Sequence, residues 1–368
     1  MPANHVTLEA LALCVATGTP SMLWGDPGTG KTSAIEQLVA SIEDCALETL
    51  IASIHDPSDF LGLPVPNQDR DAVNFIPPAW ALRIAKANRG VVFFDELSTS
   101  PRAVQAALLR IVFSRVVGEL ELGPQVSFVA AANPPETAAG GFELSPPLAY
   151  RFVHLDWTPD PAGIASGLIG GFPTIEVPRI GGAERDPRAA ALVGAFLLAR
   201  PALAVAMPAD PVAAGRGFPT PRSWEMVIRL LSASWAADAS AQALHVAVIG
   251  AVGQAAGAEF LAFLDTRDLP DPEALLANSD TFEVPTRGDQ KQVIAAAVAA
   301  AVTANATTER WDVGWRVLAR LGAGAVDTVA GGAFVLARNR PADAAAPAEI
   351  KLFIPMLRKA GLLPPGMA

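Results

Sequence analysis

Eight residues near the amino terminus, Gly25-Asp26-Pro27-Gly28-Thr29-Gly30-Lys31-Thr32, place three glycines, a lysine and a hydroxyl in the spacing G-x-x-x-x-G-K-T. The glycines let successive backbone N–H groups turn inward, and a helix following the loop adds the partial positive charge of its amino end. A concavity of that kind receives phosphate. Lys31 can then reach the β- and γ-phosphates of a nucleotide, and the Thr32 hydroxyl is a hard oxygen suited to magnesium. Further along, Phe93-Phe94-Asp95-Glu96 ends four large apolar residues, beginning at Val91, with two adjacent carboxylates. Asp95 can hold the shell of a magnesium ion, and Glu96 can orient and polarise an attacking water. Phosphoryl transfer needs that positioning more than covalent help. Two acids that merely end a strand would explain the pair less well, because packing gives no reason for them there.

The elements around these residues must bring them together. Ser21–Trp24 reads as a short strand running into the glycine loop. Ile35, Leu38, Val39 and Ile42 then fall at helical spacing on a helix that begins near Lys31. Leu47–Ser53, Val91–Phe94, Val126–Ala132 and Phe152–Leu155 read as further strands. Ser100 is placed to cap a helix with Pro101 at its first position, with Val104, Leu108, Ile111 and Val112 as its core stripe. Strands alternating with helices predict an α/β fold, a doubly wound parallel sheet with right-handed crossovers. Two segments interrupt the rhythm, a Pro- and Asp-rich insertion at 56–78 and a small hairpin at 116–122. Beyond Trp157 the pattern becomes alanine-rich and helical. The expected organisation is therefore a nucleotide-binding core at 1–157, a Pro/Gly-rich linker at 158–187, and a helical lid with a carboxyl-terminal helical extension at 188–368.

Composition removes several alternatives. The 368 residues carry a net charge of −10 and are 51% hydrophobic, with a pI near 5.0 and a mean hydropathy of +0.33. The apolar stretch from Ala189 to Met207 is broken by Arg200 and Pro201, and the alanine-rich run at 293–306 is too short to cross a bilayer. No basic region precedes an apolar core at the amino terminus, so no removable leader and no membrane span are expected. Acidic balance disfavours nucleic acid as the main partner. Cys14 and Cys45 form no C-x-x-C pair and read as reduced thiols of a cytoplasmic protein. His5, His55, His154 and His245 are scattered without metal-ligand spacing. Trp24, beside the loop, either contacts a base or fills core, and core is the favoured reading.

The chain resembles the AAA+ ATPases, and more narrowly the MoxR-like branch related to dynein- and midasin-type modules. The residues that carry the resemblance are GDPGTGKT, the Asp56–Gly62 insertion, VVFFDEL at 91–97, the Val116 hairpin, AAANP at 130–134, PLAYRF at 147–152 and Phe218-Pro-Thr-Pro-Arg-Ser-Trp224. The match is good over roughly residues 5–235 and weak beyond. It implies ATP and Mg²⁺ as cofactors, bound by Gly25 to Thr32 with Thr32 and Asp95 on the metal. It implies that Asn133 is a first sensor near the γ-phosphate and that Arg151 is an arginine finger delivered to the next subunit, with Arg110 and Arg115 as runners-up. Arg222 matches a second sensor in the first turn of a helix capped by Thr220, with Pro221 at its first position and Trp224, Val227, Ile228 and Leu231 buried. By the same analogy the two insertions contact a partner.

The leading expectation is ATP hydrolysis in a homo-oligomeric ring, a hexamer, that remodels or activates a protein partner carrying a von Willebrand factor A domain. Two other classes stay open at this stage, a DNA-acting motor and a nucleotide-gated scaffold with little turnover. Glu96, Asn133 and Arg151 argue for turnover.

Overall fold

The computed structural model describes residues 3–134, 144–158, 160–172, 174–181, 185–265 and 270–363. It divides the chain into two compact units, one formed by Met1–Glu184 with Val205–Ala258, the other by Arg185–Ala204 with Glu259–Ala368.

The first unit opens with α1 (Ala3–Ala16), β1 (Ser21–Trp24), α2 (Lys31–Ala40) and β2 (Cys45–Ile51). Then follow α3 (Pro57–Leu61), β3 (Leu63–Pro66), β4 (Val73–Ile76), α4 (Ala79–Lys86) and β5 (Arg89–Asp95). Next come α5 (Arg102–Ser114), β6 (Val116–Val117), β7 (Leu120–Glu121), β8 (Val126–Ala132), α6 (Pro146–Ala149), β9 (Val153–Asp156) and α7 (Pro161–Gly170). Five strands form one parallel sheet in the order β2-β5-β8-β1-β9. This is the α/β parallel sheet that the alternating pattern predicts. β5 and β8 are interior and buried along nearly their whole length, which is why both read as uninterrupted apolar runs. Phe94 of β5 stacks on Phe128 of β8 with ring centroids 6.1 Å apart and meets Phe60 edge-on at 6.2 Å.

The order matters for chemistry. β1 is followed in sequence by β2, yet lies between β8 and β9. Its carboxyl end is therefore where the winding direction reverses, and open parallel sheets bind ligands in the crevice at that point. The 56–78 insertion is α3 followed by the antiparallel β3–β4 hairpin, and the 116–122 segment is the β6–β7 hairpin.

Several local expectations shift. The helix expected from Pro101 starts at Arg102, with Pro101 as its amino cap. Ser100 instead closes a preceding 3₁₀ turn, its hydroxyl donating to Leu97 O at 2.7 Å. β2 starts and ends two residues before the expected 47–53, and β9 is one residue later than 152–155.

The same unit takes up α9 (Pro211–Ala214), α10 (Pro221–Ala236) and α11 (Ala241–Val252), after α8 (Pro187–Ala199), which belongs to the second unit. Thr220 caps α10 with Pro221 behind it, and Trp224, Val227, Ile228 and Leu231 are buried. α11 lies against β9 so closely that a β-carbon on Gly250 would stand 2.3 Å from His154 O. One helix expected in a lid at 188–368, α11, thus packs on the sheet. The expected linker at 158–187 contains α7, and its residues 159, 173 and 182–184 lie outside the described set.

The second unit is helical. Beyond α12 (Gln254–Asp265), which crosses the boundary between the units, it comprises α8, α13 (Pro272–Ala277), α14 (Gly288–Ala304), α15 (Thr308–Leu321), α16 (Ala330–Arg338) and α17 (Ile354–Lys359). Trp311, Trp315 and Phe353 are its fully buried centre. Among the described residues no helix is long and apolar enough to cross a membrane. Cys14 and Cys45 are both free, Cys14 fully buried.

Candidate functional site

Gly25 leaves β1 in a space that no side chain could share. A β-carbon there would lie 2.6 Å from Trp157 O and 3.1 Å from Trp157 Cβ, because β9 is paired alongside and Trp157 N donates to Trp24 O at 2.6 Å. Gly28 and Gly30 are glycines for another reason. Nothing crowds them, but their φ values of +75° and +87° belong to the left-handed region. Thr29 Oγ1 donates to Asp26 O at 2.7 Å and so closes the loop on itself. Gly30 is the amino cap of α2, whose first residues are Lys31 and Thr32. The loop therefore delivers a helix amino terminus and a run of backbone N–H groups to one cleft.

Lys31 is nearly buried. Its ammonium donates to Gly25 O at 2.6 Å, Asp26 O at 2.9 Å and Asn133 Oδ1 at 3.1 Å. Burial lowers its pKa, opposed by the carboxylates of Asp95 and Asp26. Thr32 Oγ1 donates to Asp95 Oδ2 at 2.9 Å. Asp95 ends β5, and its other oxygen accepts from Glu96 N at 2.9 Å. Glu96 stands at φ 56°, ψ 37°, a left-handed conformation that costs a residue with a β-carbon about 1–2 kcal/mol. Its carboxylate accepts from Ser53 Oγ at 2.5 Å. Asn133 follows β8 and is gripped by Ser98, whose hydroxyl donates to Asn133 O and accepts from Asn133 N, each at 3.1 Å. The amide oxygen is thereby aimed at Lys31.

These groups line a cleft of about 360 Å³ that includes Pro27 to Ser33, Asp95, Glu96 and Asn133. An adjoining cavity of about 340 Å³ is mostly apolar, walled by Leu8, Trp157, Ile164 and Phe172, and shares Gly28, Thr29 and Gly30 with the cleft. Among the described residues no cluster of three or more His, Cys, Asp or Glu could hold a metal. Thr32 and Asp95 do offer two hard oxygens side by side. That is the kind of partial protein shell magnesium takes when substrate phosphates and water complete its octahedron.

The arginines separate into two groups. Arg151 and Arg222 do not line the cleft. Both stack on the half-exposed Phe113 ring, their guanidinium carbons 4.7 and 4.8 Å from its centroid, and Arg151 also covers Tyr150 at 4.7 Å. Arg151 donates to Pro147 O, while its Nε is buried without a hydrogen-bond partner among the described residues. Burial and the neighbouring Arg151 charge lower the Arg222 pKa. The runners-up are committed elsewhere. Arg110 donates to Gly118 O at 3.0 Å. Arg115 donates to Leu122 O at 3.3 Å, to Gly123 O at 2.7 Å and to Val126 O. Both arginines pin the β6–β7 hairpin.

Behind the loop, Trp24 is core rather than cleft. Its indole N–H donates to His154 Nδ1 at 2.8 Å, and His154 Nε2 donates to Ala149 O at 2.9 Å. Burial holds the His154 pKa down at about 4, so the ring is neutral. Arg216 covers the outer face of Trp24 at 4.2 Å and pairs with Asp156 at 2.9 Å. Sequence reasoning missed Ser53, Ser98 and Trp157. Only Ser98, next to Asp95-Glu96-Leu97, stands near a motif in the chain.

Comparison with known proteins bears on this cleft. Residues 20–152 match the AAA domain of the dynein-related subfamily. A structural protein, ORF618, of Acidianus two-tailed virus is 30% identical over 139 residues, which are 34% of this chain and 21% of the viral protein. The chain thus spans about a fifth of that relative's length. A crystal structure of a Cytophaga hutchinsonii protein, provisionally named an ATPase, superposes with a TM-score of 0.48 at 17% identity, over 73% of this chain and 91% of the other. The family match begins just before β1 and ends just before β9, so it encloses the phosphate loop, Asp95, Glu96, Asn133 and Arg151. Over residues 20–152, about a third of the chain, the similarity is thus to AAA domains of the dynein-related subfamily.

Proposed function

We propose that the protein is a MoxR-like AAA+ enzyme that hydrolyses ATP in a ring of its own copies and uses the cycle to remodel or activate a protein partner. The observation that carries this reading is the convergence of Lys31, the Thr32–Asp95 pair, Glu96 and Asn133 on one cleft at the sheet's switch point.

In this reading Lys31 exchanges its loop carbonyls for the β- and γ-phosphates, and the loop N–H groups take the remaining oxygens. Thr32 and Asp95 would hold Mg²⁺. When bound, that ion screens the charge that develops on the phosphate oxygens. Glu96 leaves Ser53 and turns to the attacking water, which it orients and polarises. The Asn133 amide can donate and accept without titrating, and it keeps the γ-phosphate and water in register. The adjoining apolar cavity takes the adenine. Arg151 and Arg222 stand together outside the cleft of their own chain, so both are assigned to the nucleotide of a neighbouring subunit. Such an arginine is worth roughly 10³–10⁵ in rate in other nucleotidases. A repeated head-to-tail contact of this kind closes into a ring, here taken as a hexamer. A cytoplasmic protein with a von Willebrand factor A domain is the expected partner, with the β3–β4 and β6–β7 hairpins as contact points.

Steady-state phosphate release by wild type and by Glu96→Gln, each with ATP and Mg²⁺, tests the enzyme. Wild type should be at least a hundredfold faster, on the order that water-positioning groups supply; equal rates overturn the reading. Particle images of Glu96→Gln with ATP test the ring, and a population of monomers at saturating nucleotide removes it. Co-elution with candidate A-domain proteins only when ATP and Mg²⁺ are present tests the partner.

A further inference from the structure

Trp157 touches the end of β1 once and the phosphate loop twice. Its backbone N–H is bonded to Trp24 O, and its backbone and β-carbon fill the space that Gly25 leaves empty. Its indole Nε1–H donates to Thr29 O at 2.9 Å. A buried indole N–H must find an acceptor, and this one finds it on the loop. The indole also walls the apolar cavity beside the loop.

The Thr29 bond has a geometric consequence. Thr29 C=O and Gly30 N–H belong to one planar trans peptide and point in opposite directions. Holding the carbonyl toward Trp157 therefore turns the Gly30 N–H away from it, and Gly30 is one of the residues lining the phosphate cleft. Gly28 and Gly30 are free of neighbours and conformationally permissive. The apex of the loop consequently has few other restraints on that peptide.

We propose that Trp157 is a positioning residue for nucleotide binding: its indole N–H fixes the Thr29–Gly30 peptide so that the loop presents its N–H to phosphate. The indole, lying between loop and cavity, reports when the site fills. The proposal rests on the nucleotide-binding reading above and adds to it a residue outside every loop and strand motif.

The test uses the full chain. Binding of Mg·ADP and of inorganic pyrophosphate is measured by calorimetry for wild type and Trp157→Phe, a variant that keeps an aromatic ring and loses the N–H. Tryptophan emission is recorded in parallel. Loss of one such hydrogen bond corresponds to about threefold to tenfold in affinity. Trp157→Phe should weaken ADP and pyrophosphate by that factor alike, because the bond acts through the loop and pyrophosphate has no base. In wild type, saturation with ADP should change the emission, and most of that change should vanish in Trp157→Phe although the other six tryptophans remain.

Unchanged affinity in the variant overturns the proposal, as does a lowered melting temperature with wild-type affinity, or a loss confined to ADP. Should the variant fail to fold, the wild-type measurement still decides: ADP that binds by calorimetry without altering emission overturns the proposal. Wild type that binds neither ligand overturns the nucleotide reading itself, and is distinguished from the other outcomes by that.

Discussion

Replacing Gly25 should damage the fold, whereas replacing Gly28 or Gly30 should strain the loop, and side-chain size tells the two apart. A methyl group at position 25 would stand 2.6 Å from Trp157 O and 3.1 Å from Trp157 Cβ. Neither atom can step aside cheaply, since Trp157 N is bonded to Trp24 O at 2.6 Å and β9 is paired with β1 in register. Overpacking against such neighbours costs about 1–3 kcal/mol. For a unit of this size each kcal/mol lowers the melting temperature by about 2–4 °C, so Gly25→Ala should melt about 2–12 °C below wild type. At Gly28 and Gly30 a β-carbon meets nothing within 4 Å, and only the positive φ is unfavourable, at about 1–2 kcal/mol. Asparagine tolerates that region better than alanine does. Nucleotide-free melting curves should therefore rank Gly28→Asn and Gly30→Asn above the matching alanine variants. At position 25 the order should reverse, with Gly25→Asn below Gly25→Ala because more volume enters the same gap. The explanation is refuted if Gly25→Asn melts no lower than Gly25→Ala, or if Gly25→Ala melts with wild type.

Ser53→Ala removes the hydroxyl that holds the Glu96 carboxylate at 2.5 Å; both groups are exposed, so stability should hardly move, while basal phosphate release rises about twofold to tenfold, the worth of one hydrogen bond. Arg151→Ala and Lys31→Ala should each be inactive alone, yet a mixture should recover activity, because Lys31→Ala subunits can lend an arginine to the intact clefts of Arg151→Ala subunits; no recovery in mixed rings puts Arg151 back in its own chain's site. The pair Arg222→Ala and Lys31→Ala tests Arg222 in the same way. His154 makes the core behind the loop acid-sensitive. Its folded pKa of about 4 lies below the ordinary histidine value of 6.5, so the unfolded chain takes up a proton first, and stability present above pH 6.5 is lost as pH falls toward 4, by about 1.4 kcal/mol per unit at most. Chemical denaturation of His154→Gln across that window should show a flatter pH dependence than wild type.

What could be read from the sequence was local. Ser21–Trp24, the start of α2 at Lys31, Asp95 at a strand end and the Thr220–Pro221 cap are each set by neighbours within a few residues, and each stands where the pattern puts it. Pairings across the chain left no such trace. Nothing near Ser98 indicates that it grips Asn133, and nothing near Trp157 indicates that it holds Thr29, 128 residues away. The Pro- and Gly-rich composition of 158–187 concealed α7, because Asp160 caps it and Pro161 occupies its first position. The grouping of α8 with the second unit was hidden for the same reason, since its partner α14 begins some ninety residues later. Arg110 and Arg115 were credible finger candidates until their donors were counted: the hairpin carbonyls occupy them.

Charge gives an independent reason to expect a second chain at this site. A magnesium triphosphate keeps net negative charge, and Asp95 and Glu96 add to it in the same cleft. Against this the cleft offers Lys31, whose burial lowers its pKa while Asp95 and Asp26 oppose that, together with the helix amino end and loop N–H groups. Arg151 and Arg222 are two further cations, and they stand together on Phe113, outside the cleft. Two guanidinium groups on one ring repel one another, and after burial this repulsion is the second cause that lowers the Arg222 pKa. An anion brought between or beside them would relieve the repulsion and at the same time give the unpartnered Arg151 Nε an acceptor. A neighbouring subunit's nucleotide is the anion that the proposed ring would supply. In the proposed ring, one contact would bring the negative charge of one subunit's cleft to the paired arginines of the next.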